Sequence, residues 1–394
     1  MTLPDSYARL GLVAGAALWL IWLVCLACGS GNLDCNGQVI GTDHSAFHTA
    51  AVLLTEGRGE SLFDYPALIE FQTRQDDLIG REEFLDPYRN PPFYALLYRP
   101  TAQLPYAVSY GLWAAAGLLV LAASLRLVHG RQFIKPLAWS LSFYPVFAAV
   151  SFGQNTLLSL GIFALTYHSI VSERRFLAGF VAGLLLYKPQ LLLGLGVWWL
   201  IDARHYWPAL IGMMVTGLML AFLSWLVVPQ ETATWIRRLP DIAAYDAFEF
   251  FNLHNPRGFG DLLTGNRRVG QIVGLLGLGL AIAWLWRFQR RHHSDDRLIF
   301  VAAIFATLWG SPHTMIYEWA LLVVPAIILW NTRPNQQLIW KWMFAVAWIA
   351  LFVSTPLTKG QLALTHRLFG MGVAIQISVP ILAWIGIRAE RACR

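Results

Sequence analysis

Asp43 is the residue of this chain best placed to act as a base. It stands in Gly41-Thr42-Asp43-His44-Ser45, which a polar loop connects to the end of an apolar stretch at 10–28. An acceptor hydroxyl is a poor nucleophile, and a carboxylate held beside it can take its proton as attack proceeds. The ordinary structural role for such an acid is to cap the helix that follows, and Asp34 is the nearest rival base. His44 and His48 are four residues apart, and with Asp43 they make a partial metal-ligand set without a distant fourth ligand. That pattern carries little weight, so no metal or other cofactor is expected.

Further candidates stand at the ends of other apolar runs. Lys188, in Tyr187-Lys188-Pro189-Gln190, has no other charge nearby. An ammonium near membrane depth marks a functional position unless it snorkels to the interface, and a phosphate contact is the chemistry it suits. His313, Tyr317 and Glu318 form a second cluster, in which a histidine can donate to an anion, orient a substrate hydroxyl or simply bind local backbone. Gln154 and Asn155 share a tight turn, where amides bind substrate hydroxyls or cap the next helix. Arg257, in His254-Asn255-Pro256-Arg257-Gly258, is placed to hold a phosphate or to remain solvated. Lys359, His366 and Arg367 are weaker members of the same class.

The elements that must position these residues are membrane spans. Of 394 residues 57% are hydrophobic and 13% charged, about half the charge of an average soluble domain. The chain therefore reads as an all-α polytopic membrane protein and a single integral-membrane domain over 1–394. Hydropathy gives about twelve spans. The clearer ones are 10–28, 106–127, 208–228, 269–286, 338–355 and 368–386. Shorter ones, at 137–152, 156–171, 176–187, 190–201, 298–309 and 319–330, come as pairs joined by polar turns.

Basic residues in alternate short loops place those loops and both termini in the cytoplasm. The two long polar loops, 29–92 and 229–268, then face outside. A net charge of +6 serves topology here, and nucleic acid is not expected as a partner. The 18 Trp residues suit interfacial anchoring. Cys25 and Cys28 read as packing residues of the first span, and Cys35 and Cys393 lie on opposite sides. Within the first outer loop, 44–54 has apolar residues at helical spacing, ended by Gly57. The segment 91–100 suits a short helix in the interface. No nucleotide-binding loop or zinc-protease motif is present.

Several of these motifs occur in a telling order: the Asp43-His44 loop, Leu62-Phe63-Asp64, Tyr88-Arg89-Asn90-Pro91-Pro92-Phe93, Gly153-Gln154-Asn155, Tyr187-Lys188-Pro189-Gln190 and Ser311-Pro312-His313-Thr314-Met315-Ile316-Tyr317-Glu318. Over about residues 10–330 the series resembles glycosyltransferase family 87, membrane enzymes of the GT-C fold. The resemblance implies twelve spans, an active site at the outer face of the plasma (inner) membrane, and Asp43 as catalytic base. It implies a polyprenyl-phosphate sugar donor, most simply mannose, and a lipid or glycan acceptor. With such a donor the leaving phosphate is already a stable anion, so one base and a cationic pocket suffice, and the sugar inverts. The charged stretch between Asp64 and Tyr88 departs from the family pattern and bears on the acceptor. A flippase of lipid-linked sugars is the alternative from another class, although polar residues gathered at span ends fit it poorly. An O-antigen-type ligase, with arginines in 229–268, is a further alternative.

Overall fold

The computed structural model describes residues 5–74, 86–244, 253–332, 342 and 345–353. The expected span at 368–386, Lys359, His366, Arg367, Cys393 and most of the charged stretch before Tyr88 lie outside the described residues. Within them the chain is helical, and the only extended pairings are isolated bridges.

Four helices are long and apolar enough to cross a bilayer: α1 (Asp5–Ala27) over its segment Arg9–Ala27, α5 (Tyr106–His129), α11 (Ala203–Val227) and α14 (Arg267–His292). Their apolar side chains point outward. Leu20, Ile21, Leu119, Leu218, Phe222 and Leu275 are between 63% and 71% exposed. A face of this extent is costly in water and at no cost against lipid tails.

The expected short spans are shorter still, because the chain breaks them. The 137–152 segment divides into α6 (Ile134–Ser142) and α7 (Tyr144–Ser151) at Phe143, which is extended and is followed two residues on by Pro145. The 176–187 and 190–201 pair is α9 (Arg175–Gly183) and α10 (Leu193–Ile201), separated by two 3-10 turns, Leu184–Tyr187 and Pro189–Leu192. Lys188 stands between those turns in a non-helical conformation, since Pro189 supplies no N–H to continue a helix. α8 (Thr156–Val171) and α15 (Asp296–Gly310) form the centre, and most of their residues are buried. α16 (Val323–Thr332) follows the 3-10 turn Ile316–Leu322.

The polar segments are more ordered than loops. The first contains α2 (His44–Thr55), where the apolar spacing predicts it, then α3 (Tyr65–Arg74) and α4 (Pro92–Ala95). The interfacial helix expected at 91–100 is a single buried turn: Pro92, Tyr94 and Ala95 face the interior, as does Tyr98 beyond it. The second segment is mostly helix, α12 (Pro229–Ala244) and α13 (Pro256–Thr264). Trp198, Trp199 and Trp319 are fully buried, and interfacial anchoring was expected for most of the 18 Trp residues, not all. One further expectation needs correction. Cys25 is not simply a packing residue: it forms a disulfide with Cys35. The segment after α1 folds back through the Ser30–Leu33 and Leu33–Val39 bridges, which brings Cys35 to the helix end.

Candidate active site

The N-terminal end of α5 assembles the two halves of the site. Tyr106 donates its hydroxyl to the carbonyls of Ile40 (2.6 Å) and Gly41 (2.9 Å), fixing the strand of chain that enters α2. One turn on, Tyr110 donates to Val150 O at 2.8 Å and Trp113 to Gln154 O at 3.4 Å, fixing the turn between α7 and α8. The two pieces then lock together: the Asp43 N–H donates to Phe152 O at 2.9 Å. Gly153 makes the approach possible. Its φ is +70°, and a Cβ there would stand 2.6 Å from the Cβ of His44.

In this setting Asp43 does not cap α2. It occupies the cap position, but its side chain accepts nothing from the helix. The carboxylate instead accepts from Gln154 Nε2 at 2.5 Å. Gln154 Nε2 also donates to the Tyr317 hydroxyl at 3.0 Å, and Gln154 Oε1 accepts from Lys188 Nζ at 3.0 Å. Lys188 continues to Glu318 Oε1 at 2.9 Å, and Glu318 Oε2 accepts the Met315 N–H at 2.7 Å. The Lys188 and Glu318 side chains are 12% and 3% exposed, so this is an enclosed ion pair with further hydrogen bonds at both ends, the condition under which such a pair is tolerated. Lys188 is thus neither a snorkelling lysine nor an unpaired cation.

The rival acid Asp34 closes a local turn, its Oδ1 accepting the N–H groups of Asn36 and Gln38 at 2.8 and 2.9 Å.

His44 does not enter the recess. It is fully buried on the opposite side, where its Nε2 meets Ser109 Oγ at 3.1 Å. His48 Nδ1 meets the same hydroxyl at 3.2 Å, and the two imidazoles stack at 6.1 Å among Tyr98, Tyr106 and Tyr110. Burial lowers His44 to about 3 and His48 to about 4, so both are neutral packing residues. Both imidazoles are thus turned to Ser109. Asn155, also expected at the site, is fully buried beneath it and makes no side-chain cap for α8.

His313 and Arg257 do come together. The 253–258 segment docks on the 311–319 segment: His254 N–H donates to Thr314 O at 2.7 Å, Asn255 Nδ2 to Ser311 O at 2.7 Å and Trp319 Nε1 to His254 O at 3.0 Å. Asn255 also caps α13, accepting from the Gly258 N–H at 2.8 Å. Burial lowers His313 to about 3, and the positive charges of Arg89, Lys188 and Arg257 act in the same direction. His313 is therefore neutral and surrounded by three cations.

Two members of the recess were not singled out from the sequence. Arg89 acts electrostatically on Asp43, Asp86 and His313 together. Its segment is tied to the Lys188 turn by Asn90 Nδ2, which donates to Tyr187 O at 2.8 Å. Asp86 is a second acid near Asp43, and its backbone is held by Gln72 at 3.2 Å. Burial raises Asp43 above the usual carboxylate range, opposed by Gln154, Lys188 and Arg89. Asp86 is raised well above it, by burial first and then by the charge of Asp43. The signal for Arg89 was a lone charge in an otherwise apolar Tyr-Arg-Asn-Pro-Pro-Phe run. Asp86 had none, being one of several acids in a charged stretch.

Lipid-facing spans with a half-buried carboxylate wired into a polar recess at their ends define an integral-membrane enzyme. The family model described as glycosyltransferase family 87 matches residues 88–312. The chain belongs to that family and is a membrane glycosyltransferase. The match contains Arg89, Gln154, Lys188 and Arg257, while Asp43, His313, Tyr317 and Glu318 lie outside it and join these residues through the fold. No curated protein and no solved structure matches the chain.

Proposed function

We propose that the chain transfers one sugar, most simply mannose, from a polyprenyl phosphate to a lipid or glycan hydroxyl at the outer face of the plasma membrane, with Asp43 as general base. The observation that carries the reading is the Asp43 carboxylate itself. It is half-buried, free of any capping role and held by Gln154 in a recess with cations around it. In one displacement the acceptor oxygen bonds to the anomeric carbon, whose bond to the phosphate oxygen breaks. The acceptor proton passes to Asp43, and the polyprenyl phosphate departs as an anion. A single displacement inverts the anomeric centre.

Arg89, Arg257 and neutral His313 are the groups to stabilise the departing phosphate, with Tyr317 at the recess wall. The Cys25–Cys35 disulfide supports the outward orientation, because such bonds persist in oxidising compartments and are rare in the cytosol. The test is transfer from radiolabelled polyprenyl-phosphate-mannose to membrane lipids by wild type and by Asp43→Asn at equal expression. Transfer by the wild type alone, with donor binding retained in the variant, is the expected result. Equal transfer by both would remove Asp43 from the mechanism, and wild-type inertness toward every polyprenyl-phosphate sugar would remove the donor class.

A further inference from the structure

Gln154 has one carbonyl and two N–H groups in its side chain, and the recess uses all three. The N–H groups meet Asp43 Oδ2 and the Tyr317 hydroxyl, and the carbonyl meets Lys188 Nζ. This arrangement has only one sense. Rotating the amide by half a turn would set its N–H groups against an ammonium and its carbonyl against a carboxylate, two mismatched contacts in place of matched ones. Lys188 and Asp43 therefore select the same sense of the amide, and the Lys188 ammonium adds to the preference that presents an N–H to Asp43. Lys188 is itself fixed, because Glu318 accepts from it at 2.9 Å, and Glu318 is fixed by the Met315 N–H at 2.7 Å. A continuous line of bonds runs from backbone through Glu318, Lys188 and Gln154 to the Asp43 carboxylate.

Resting on the assignment of Asp43 as base, the geometry points to Glu318, Lys188 and Gln154 as a positioning chain for that carboxylate, with Lys188 acting through Gln154 and not by touching the donor phosphate. The ion pair accounts for the charge of Lys188, which leaves the donor phosphate to Arg89, Arg257 and His313. The chain also does work for chemistry that a substrate-binding lysine would not. It presents an N–H to the ionised form of Asp43, and it keeps one carboxylate oxygen engaged so that the other faces the acceptor. Members of such a line act as a unit, so removing one disables the next.

The experiment uses the purified full-length enzyme with polyprenyl-phosphate-mannose and a membrane-lipid extract as acceptor. It compares wild type, Gln154→Ala, Lys188→Met, the double variant and Lys188→Arg. Each single variant should lose about ten- to a hundredfold in kcat, the scale of a hydrogen bond to a charged group. The acid limb of the pH profile should move upward by about one pH unit, because a donor and a cation that favour ionised Asp43 are gone. Donor KM should be unchanged, the double variant should match the worse single one, and Lys188→Arg should recover part of the rate. A rise in donor KM for Lys188→Met with the acid limb unmoved would make Lys188 a phosphate contact and overturn the chain alone. Additive losses would overturn it too. If Lys188→Met fails to fold because it strands Glu318, Lys188→Met with Glu318→Met removes both charges, and an unchanged kcat there overturns the proposal. A wild type that uses no polyprenyl-phosphate sugar defeats the base assignment and the chain with it.

Discussion

Asp43 and His44 are neighbours in sequence and belong to different parts of the molecule. Asp43 faces a recess whose partners, Gln154, Tyr317, Lys188 and Glu318, arrive from three distant segments. His44 faces a closed wall of Ser109, His48 and three tyrosines. Successive residues at a helix start are about 100° apart around the axis, so neighbours in sequence are divided between faces. On one face a carboxyl group is kept half-exposed. On the other, two imidazoles are deprived of charge by burial. Function and packing are thus separated within a single peptide unit, and the local pattern Asp-His does not by itself mark a site.

The sharpest way to break this comparison is to change each residue in turn. Asp43→Asn should lower transfer by about a hundred- to ten-thousandfold, the usual weight of a general base. His44→Phe should leave transfer within about tenfold of wild type while lowering thermal stability by about 1–2 kcal/mol through the lost Ser109 contact. The pH profile separates the two faces again. Asp43 must be ionised to act, and burial raises it, so activity should fall on acidification at a pH above the usual carboxylate range. His44 and His48, lowered to about 3 and 4, contribute nothing between pH 5 and 8, and His44→Phe should leave that limb in place. A limb that moves with His44 would merge the faces into one site.

Gly153 is where the two faces touch. A Cβ at this position would stand 2.6 Å from the Cβ of His44, and the next residue is the one that holds Asp43. Gly153→Ala adds a left-handed alanine and a contact at 2.6 Å, at a combined cost of about 1–3 kcal/mol. It should also lower transfer by about tenfold as Gln154 is displaced. Scanning fluorimetry and the transfer assay on the same preparation check both parts. A loss of stability with full transfer would show that Gln154 does not depend on this turn.

The parts of this arrangement that sequence reading reached are those with a local cause. The apolar spacing of 44–54 gives α2, the long apolar runs give the four spans, and a lone Lys188 before Pro189 marks a break in a helix. Asp43, Gln154, Lys188, His313, Tyr317 and Glu318 were each visible as polar residues at the ends of apolar runs. Their connections were not, because no local rule says that a lysine will pair with a glutamate 130 positions on. Arg89 and Asp86 show the same limit from the other side: what makes them part of the recess is the fold of 86–91 against Lys188 and α2. Expectations based on type alone were the ones to fail. Asn155 was expected to bind a sugar hydroxyl or to cap the next helix, and it is fully buried and makes no side-chain cap.

The smallest effect expected concerns the tether that joins the first span to the Asp43 segment. The Cys25–Cys35 disulfide closes a short loop, and downstream of it Ile40 N–H donates to Asn32 O at 2.9 Å before Tyr106 takes up the carbonyls of Ile40 and Gly41. The segment leading to Asp43 is thus held twice, by the disulfide through the loop and by Tyr106 at Ile40 and Gly41. Closing a loop of this size contributes about 2–3 kcal/mol by restricting the unfolded segment. Because Tyr106 stands between the disulfide and Asp43, most of that contribution goes to the loop and little to the carboxylate. Cys35→Ser should therefore lower the melting temperature measurably and reduce transfer by less than about threefold, whereas Tyr106→Phe, which removes the direct hold, should reduce transfer more while leaving the disulfide intact. The reverse order of effects on transfer would mean that the recess is positioned from the first span and not from α5.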